Sequence, residues 1–226
     1  GERPDLETFL AAAGRLIAEH VDLDAVLAAA APLQTTGAAH TLPPLGQRIA
    51  VARDAAFAFS YPHMLADWQS AGAEISFFSP LANQAPVADA DAVLLPGGYP
   101  ELHGAVLSGA STFRRGMAQA AATGARIYGE CGGYMTLGRG MVDKDGARHE
   151  MLGLLPLETS FASRKLHLGY RDLTPLTGGW PGALKAHEFH YATIIEEGDA
   201  PRLFRAHDAE GANLGEIGLQ VGSVAG

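Results

Sequence analysis

Between residues 48 and 133 short apolar runs alternate with helical segments, and two of the runs end in glycine-rich turns. Residues 48–53 (RIAVAR), 73–78, 91–95 and 125–129 read as strands. Residues 62–71 and 107–123 read as helices, with Pro62 suited to a first turn and Gly72 and Gly124 just past the ends. Strands that alternate with helices predict a parallel sheet with helices on both faces. Such sheets bind ligands at the carboxyl ends of their strands. Pro96-Gly97-Gly98 and Gly129-Glu130-Cys131-Gly132-Gly133 both lie at such ends. From residue 141 onward the pieces become short, apolar and turn-rich, which predicts antiparallel strands and hairpins. Residues 208–213 form the clearest turn, and 218–226 read as a strand still in progress at the end of the chain.

Upstream, residues 4–30 carry a helical period. Leu6, Phe9, Leu10, Ala13, Leu16 and Ile17 fall at i, i+3, i+4 spacing, and a second short helix is expected at 23–30. The segment 32–46 has three prolines, two glycines and paired threonines, which is linker chemistry. The expected organisation is a helical segment at 1–31, a linker at 32–46 and an α/β domain at 47–226. Both ends are expected to be cut.

Composition removes several function classes. Of the 226 residues, 16 are Lys or Arg against 25 Asp or Glu, a net charge of −9. That balance lacks the basic footprint of a nucleic-acid binder. One cysteine excludes an internal disulfide and a cysteine-rich zinc site. No apolar run of about 18 residues is present, and no signal peptide is visible. No membrane partner is expected, and a cytoplasmic setting is the default.

The chemistry concentrates at Gly129-Glu130-Cys131-Gly132-Gly133, a G-x-C-x-G run at a strand-to-helix junction. A nucleophile on such a turn sits in a strained backbone conformation, while the small flanking residues let strand and helix approach. The helix amino terminus is expected to favour a thiolate at Cys131. The second turn, Pro96 to Glu101, has glycines whose amides can approach a ligand closely. Acyl transfer needs two such donors at the developing oxyanion, and Gly132 and Gly98 are the candidates. His187 and His190 are spaced i, i+3, whereas a helical zinc pair needs i, i+4, so no metal site is expected. Lys144, Lys165 and Lys185 lack the glycine and Ser/Thr neighbours of a phosphate-binding loop, so no ATP site is expected in this chain.

VARDAAFAFSYPHML, LPGGYPELH, GECGGYMTLG, KLHLGYR and HEFHYA, in that order, resemble the glutamine amidotransferase region of the cobyrinic/hydrogenobyrinic acid a,c-diamide synthase family. The resemblance runs from about residue 48 to the end. It implies a class I glutamine amidotransferase fold, flavodoxin-like: a parallel sheet with helices on both faces plus an antiparallel extension. Residues 1–31 then resemble the tail of an amino-terminal ATP-binding synthetase domain. The implied reaction amidates the a- and c-carboxylates of a corrinoid in cobalamin biosynthesis. ATP and Mg²⁺ would act in the amino-terminal domain, with no cofactor in this chain. Glutamine hydrolysis would occur here, with Cys131 as nucleophile and Gly98 and Gly132 as the oxyanion hole. Gly97, Tyr99, Gly133, His190 and Tyr191 would contact glutamine. A homodimer is plausible by the same resemblance. The family's activating histidine follows a strand like GLQVGSVAG, and none of the nine histidines here holds that position. This chain alone is therefore expected to be weakly active. Two other readings stay open: another class I amidotransferase such as cobyric acid synthase, and a silent amidotransferase-like module.

Overall fold

The computed structural model describes residues 5–32 and 41–226; the expected linker falls largely on 33–40, outside them. The chain divides into a unit of residues 1–40 and a larger unit of residues 41–226. In the first, α1 (Leu6–His20) and α2 (Leu23–Ala29) follow the helical period read from the sequence. The Asp22 side chain accepts the Ala25 amide at 3.0 Å and caps α2. Leu6, Phe9, Leu10, Leu16 and Ile17 of α1 are all exposed.

The larger unit holds β1 (Arg48–Ala52), α3 (Pro62–Ser70), β2 (Glu74–Phe78), β3 (Ala92–Leu95), α4 (Gly104–Gly109), α5 (Ser111–Ala122), β4 (Arg126–Gly129) and α6 (Gly132–Leu137). It continues through β5 (Gly140–Val142), β6 (Arg148–Glu150), β7 (Leu157–Ser160), β8 (His167–Pro175), β9 (Leu184–His190), β10 (Thr193–Glu197), β11 (Arg202–His207), β12 (Asn213–Val221) and β13 (Val224–Ala225). The main sheet runs β2-β1-β3-β4-β13-β12-β11-β8-β9. The first five strands are parallel and the remaining pairings are antiparallel. A second sheet, β10-β7-β5-β6, is mixed, with β5 and β7 parallel.

Strand period explains the layers. Ile49 and Val51 of β1 join Ala92 and Leu94 of β3 against Leu65 and Trp68 of α3. The alternate residues Ala50, Ala52, Val93 and Leu95 face the other way, onto Phe113 and Met117 of α5 and Leu137 of α6. Burial on both faces is what a central parallel strand requires, and it explains the unbroken apolar runs.

Two expectations are corrected. The single helix at 107–123 is two helices, broken at Ala110. The Asn83 side chain caps the start of α5, its Oδ1 accepting the Thr112 and Phe113 amides at 2.7 and 3.2 Å. The strand expected at 218–226 is instead β12, a turn with Gly222 at φ +59°, and β13. β13 pairs with β4 in parallel and carries the chain from the antiparallel part back beside the parallel part. Among the described residues no helix is long and apolar enough to cross a membrane.

Candidate active site

β3 and β4 are neighbours, with Leu95 opposite Gly129, so the turns that leave them emerge side by side. The Glu130 amide donates to the Leu95 carbonyl at 2.9 Å and holds the two turns together. Cys131 follows at φ 51°, ψ −109°, one of two non-glycine residues with positive φ among those described. Such a conformation costs about 1–3 kcal/mol and persists only where the surroundings fix it. Here they do so through glycines. A Cβ on Gly133 would overlap the Leu95 carbonyl oxygen, and one on Gly129 would lie 2.6 Å from Leu137 Cδ1. α6 can therefore pack directly on the ends of β3 and β4. Within it, the Cys131 carbonyl accepts the Met135 amide at 3.1 Å and the Gly132 carbonyl accepts the Thr136 hydroxyl at 2.8 Å.

The loop after β3 completes the bend. The Gly97 carbonyl accepts the Phe59 amide at 2.9 Å, and the Tyr99 amide donates to the Ala56 carbonyl at 3.1 Å. A side chain at Gly98 would overlap that Ala56 carbonyl oxygen. The Tyr99 ring meets Phe59 edge-on at 5.0 Å. Gly132 packs beside Pro100, with the Gly98 amide nitrogen 3.2 Å from where its Cβ would stand. The Gly132 and Gly98 backbone amides both favour the charged form of the Cys131 sulfur. Gly97, Gly98, Tyr99, Cys131, Gly132 and Gly133 are thus brought together, as the sequence indicates.

The electrostatics depart from expectation. Burial, the largest influence, pushes the Cys131 thiol above its ordinary range. The Gly132 amide pulls it down, the Glu130 and Glu101 carboxylates push it up, and the Gly98 amide pulls it down again. The helix start does not offset the burial, so the resting sulfur is a thiol and needs a base. Because the folded value is raised, the fraction of thiolate at neutral pH is below that of a free cysteine. Alkylation of Cys131 by iodoacetamide should accordingly be slower in the folded chain than in denatured chain at pH 7, with its rate midpoint displaced to higher pH. A midpoint at or below that of the denatured thiol would contradict this. Glu101→Gln should move the midpoint down, since it removes a nearby negative charge.

Several participants were not legible beforehand. The Tyr61 hydroxyl donates to Glu130 Oε1 at 2.8 Å. Burial pushes the Glu130 carboxyl up, against the pull of the Tyr61 hydroxyl and the nearby His187 imidazole. Glu101 is also raised by burial, opposed by its own backbone amide and Arg164. The signals were present as Tyr61 within SYPHML and Glu130 within GECGG, but only the fold joins them across 69 residues.

His190 stands differently. Its Nδ1 lies 3.0 Å from the Ala192 carbonyl and its Nε2 lies 2.8 Å from Glu188 Oε1, so both ring nitrogens are engaged within its own hairpin region. The strand period puts His187 and Phe189 on the opposite face of β9, and it is His187 that acts on Glu130. Tyr191 follows the strand, half-exposed, its ring meeting Phe189 edge-on.

Residues 48–226 match the model of the CobB/CobQ-like glutamine amidotransferase domain. The chain belongs to this family. A hydrogenobyrinate a,c-diamide synthase from Rhizobium meliloti (strain 1021) is 59% identical over 227 residues, covering all of this chain and 53% of the relative. One from Rhodobacter capsulatus is 50% identical, covering all of this chain and 52% of the relative. The chain thus spans about half the length of the curated relatives it matches. Among solved structures, PurLQS from Thermotoga maritima superposes with a TM-score of 0.54 at 18% identity, over 79% of this chain and 84% of that one. A structure described as glutamine amidotransferase gives 0.52 at 14% identity, over 78% and 86%. These likenesses support the class I amidotransferase fold for this member of the CobB/CobQ-like family. The strained cysteine and its two amides sit inside the matched region.

Proposed function

We propose that this glutamine amidotransferase domain hydrolyses glutamine through Cys131 and serves a synthase that amidates the a- and c-carboxylates of a corrinoid. The observation that carries the reading is Cys131 at a positive-φ bend on the turn where the Gly98 and Gly132 backbones meet. The thiolate attacks the glutamine side-chain carbonyl. The Gly98 and Gly132 amides stabilise the resulting oxyanion. Collapse of the tetrahedral intermediate expels ammonia and leaves a γ-glutamyl thioester on Cys131, which water hydrolyses to glutamate. Tyr99, Gly97 and Gly133 frame the amide end of the substrate. The exposed face of β9, with His187, and Tyr191 beyond it are the nearest candidates for its α-amino and carboxylate groups.

The base is the remaining requirement. The resemblance assigns it to a histidine following a strand like β13. β13 lies beside β4, and a Cβ on Gly226 would be 2.6 Å from the Gly129 carbonyl oxygen, two residues before the thiol. A histidine that follows would enter close to Cys131. ATP and Mg²⁺ belong, on this reading, to the additional sequence of the longer relatives, where the acceptor carboxylate is activated as a phosphate ester. The test joins this chain to that additional sequence and compares nitrogen sources. Cys131→Ala should stop glutamine-dependent amidation of hydrogenobyrinate and leave ammonium-dependent amidation intact. Loss of both, or of neither, would count against the assignment.

A further inference from the structure

The spacing of His187 and His190 does not suit a helical zinc pair, and the run lies on the strand β9. In a strand, residues two apart share a face, so Glu188 and His190 stand together and His187 is turned away. The antiparallel partner β8 places His167 directly opposite His190. Ligand atoms of His167, Glu188 and His190 all lie within 4.8 Å of one another, and all three residues are half-buried. Tetrahedral zinc, with bonds of about 2.0–2.2 Å to nitrogen and oxygen, needs donor atoms roughly 3.3–3.5 Å apart. Side-chain rotation is needed to reach that spacing.

The surroundings are arranged as a metal's outer partners are. A carbonyl oxygen only accepts, so the contact at 3.0 Å with Ala192 requires a proton on His190 Nδ1. Nε2 lies 2.8 Å from Glu188 Oε1, so a second ring nitrogen and a carboxylate oxygen already stand side by side, and a divalent ion would replace the proton between them. An imidazole that donates one N–H to a carbonyl and offers the other nitrogen is the usual state of a histidine ligand. Glu188 is oriented as well: its Oε2 accepts from Arg171 Nε at 2.9 Å and Nη2 at 2.6 Å, which leaves Oε1 for the ligand position. Gly169, opposite Glu188, makes room for this, since a Cβ there would overlap Arg171 Nη1. The His167 and His190 rings stack at 4.6 Å and 12°. Rings this nearly parallel direct their in-plane lone pairs side by side, so binding a shared ion would turn the His167 ring out of the stack.

We propose that His167, Glu188 and His190 bind a borderline divalent transition-metal ion, Zn²⁺ foremost, with a fourth position open to water. The donor set of two imidazoles and one carboxylate matches zinc's preference for nitrogen and oxygen at four-coordinate sites. The ion ties β8 to β9 on the face opposite His187, and so braces that hairpin.

The test uses tag-free, chelator-treated chain carrying Cys131→Ser, so that the thiol does not compete, titrated with ZnCl₂ by calorimetry. The expected result is one equivalent bound and a rise in Tm with zinc. Adding His167→Ala should weaken binding about tenfold or more and cancel the Tm rise. X-ray absorption at the zinc edge of the loaded single variant, which needs no change at the ligands, should show two imidazoles and no sulfur. Failure to take up zinc, uptake unaffected by His167→Ala, or a zinc environment with fewer than two imidazoles would overturn the proposal. None of these outcomes bears on glutamine hydrolysis at Cys131.

Discussion

Cys131→Ala is expected to reduce glutamine hydrolysis by about 10⁴-fold or more, the scale of loss when a covalent nucleophile is removed and only the oxyanion donors and binding contacts remain. The structure explains why no neighbour should replace it. It is the chain's one cysteine, and it occupies the bend at φ 51° where the Gly98 and Gly132 amides converge. The variant should stay folded, because alanine tolerates the bend no worse than cysteine and the packing of Gly129, Gly132 and Gly133 is untouched. Glutamine binding should therefore persist while turnover disappears. Glutamate release should be measured beside calorimetric binding of glutamine, on the chain joined to the additional sequence of its relatives. Retention of more than about a hundredth of the turnover would mean that the chemistry runs elsewhere.

Gly133→Ala should be the most damaging single methyl in the α/β unit, costing about 3 kcal/mol or more. Its Cβ would overlap the backbone carbonyl oxygen of Leu95, with the Leu95 carbonyl carbon 2.6 Å and its Cβ 2.8 Å away. Leu95 is fully buried in β3, so neither side can yield without parting α6 from the sheet. Overpacking against side chains costs about 1–3 kcal/mol, and a rigid backbone obstacle puts this site at or above that range. Gly109→Ala is the matched control. It sits at the end of α4 with nothing within 4 Å of a Cβ, and should change stability by no more than about 1 kcal/mol, in the stabilising direction. Urea unfolding of the two variants separates them. Equal midpoints would mean that α6 does not press on β3 as described.

The parallel half of the fold was legible because its strands are buried on both faces and closed by glycine, so composition, period and punctuation agree. The break between α4 and α5 was not, because its cap comes from Asn83, a side chain 29 residues from the amide it holds. β13 was not either. Two residues carry no period, and only pairing with β4 on one side and β12 on the other makes Val224-Ala225 a strand. At the site, the bend and its two amides were readable because glycine leaves a mark wherever backbones touch. The state of the thiol was misjudged, since burial depends on the whole fold and here outweighs the helix start. The cluster around Glu188 and His190 was not legible for a related reason: its third member, His167, comes from another strand.

The account rests on a thiol that attacks a glutamine carbonyl under two backbone amides. A diazoketone analogue of glutamine, followed by peptide mass spectrometry, addresses that step directly. The account predicts a single adduct on the peptide containing Cys131, slowed by added glutamine and absent from Cys131→Ala. An unmodified Cys131 peptide after prolonged exposure of folded protein, or labelling that glutamine does not slow, would contradict it.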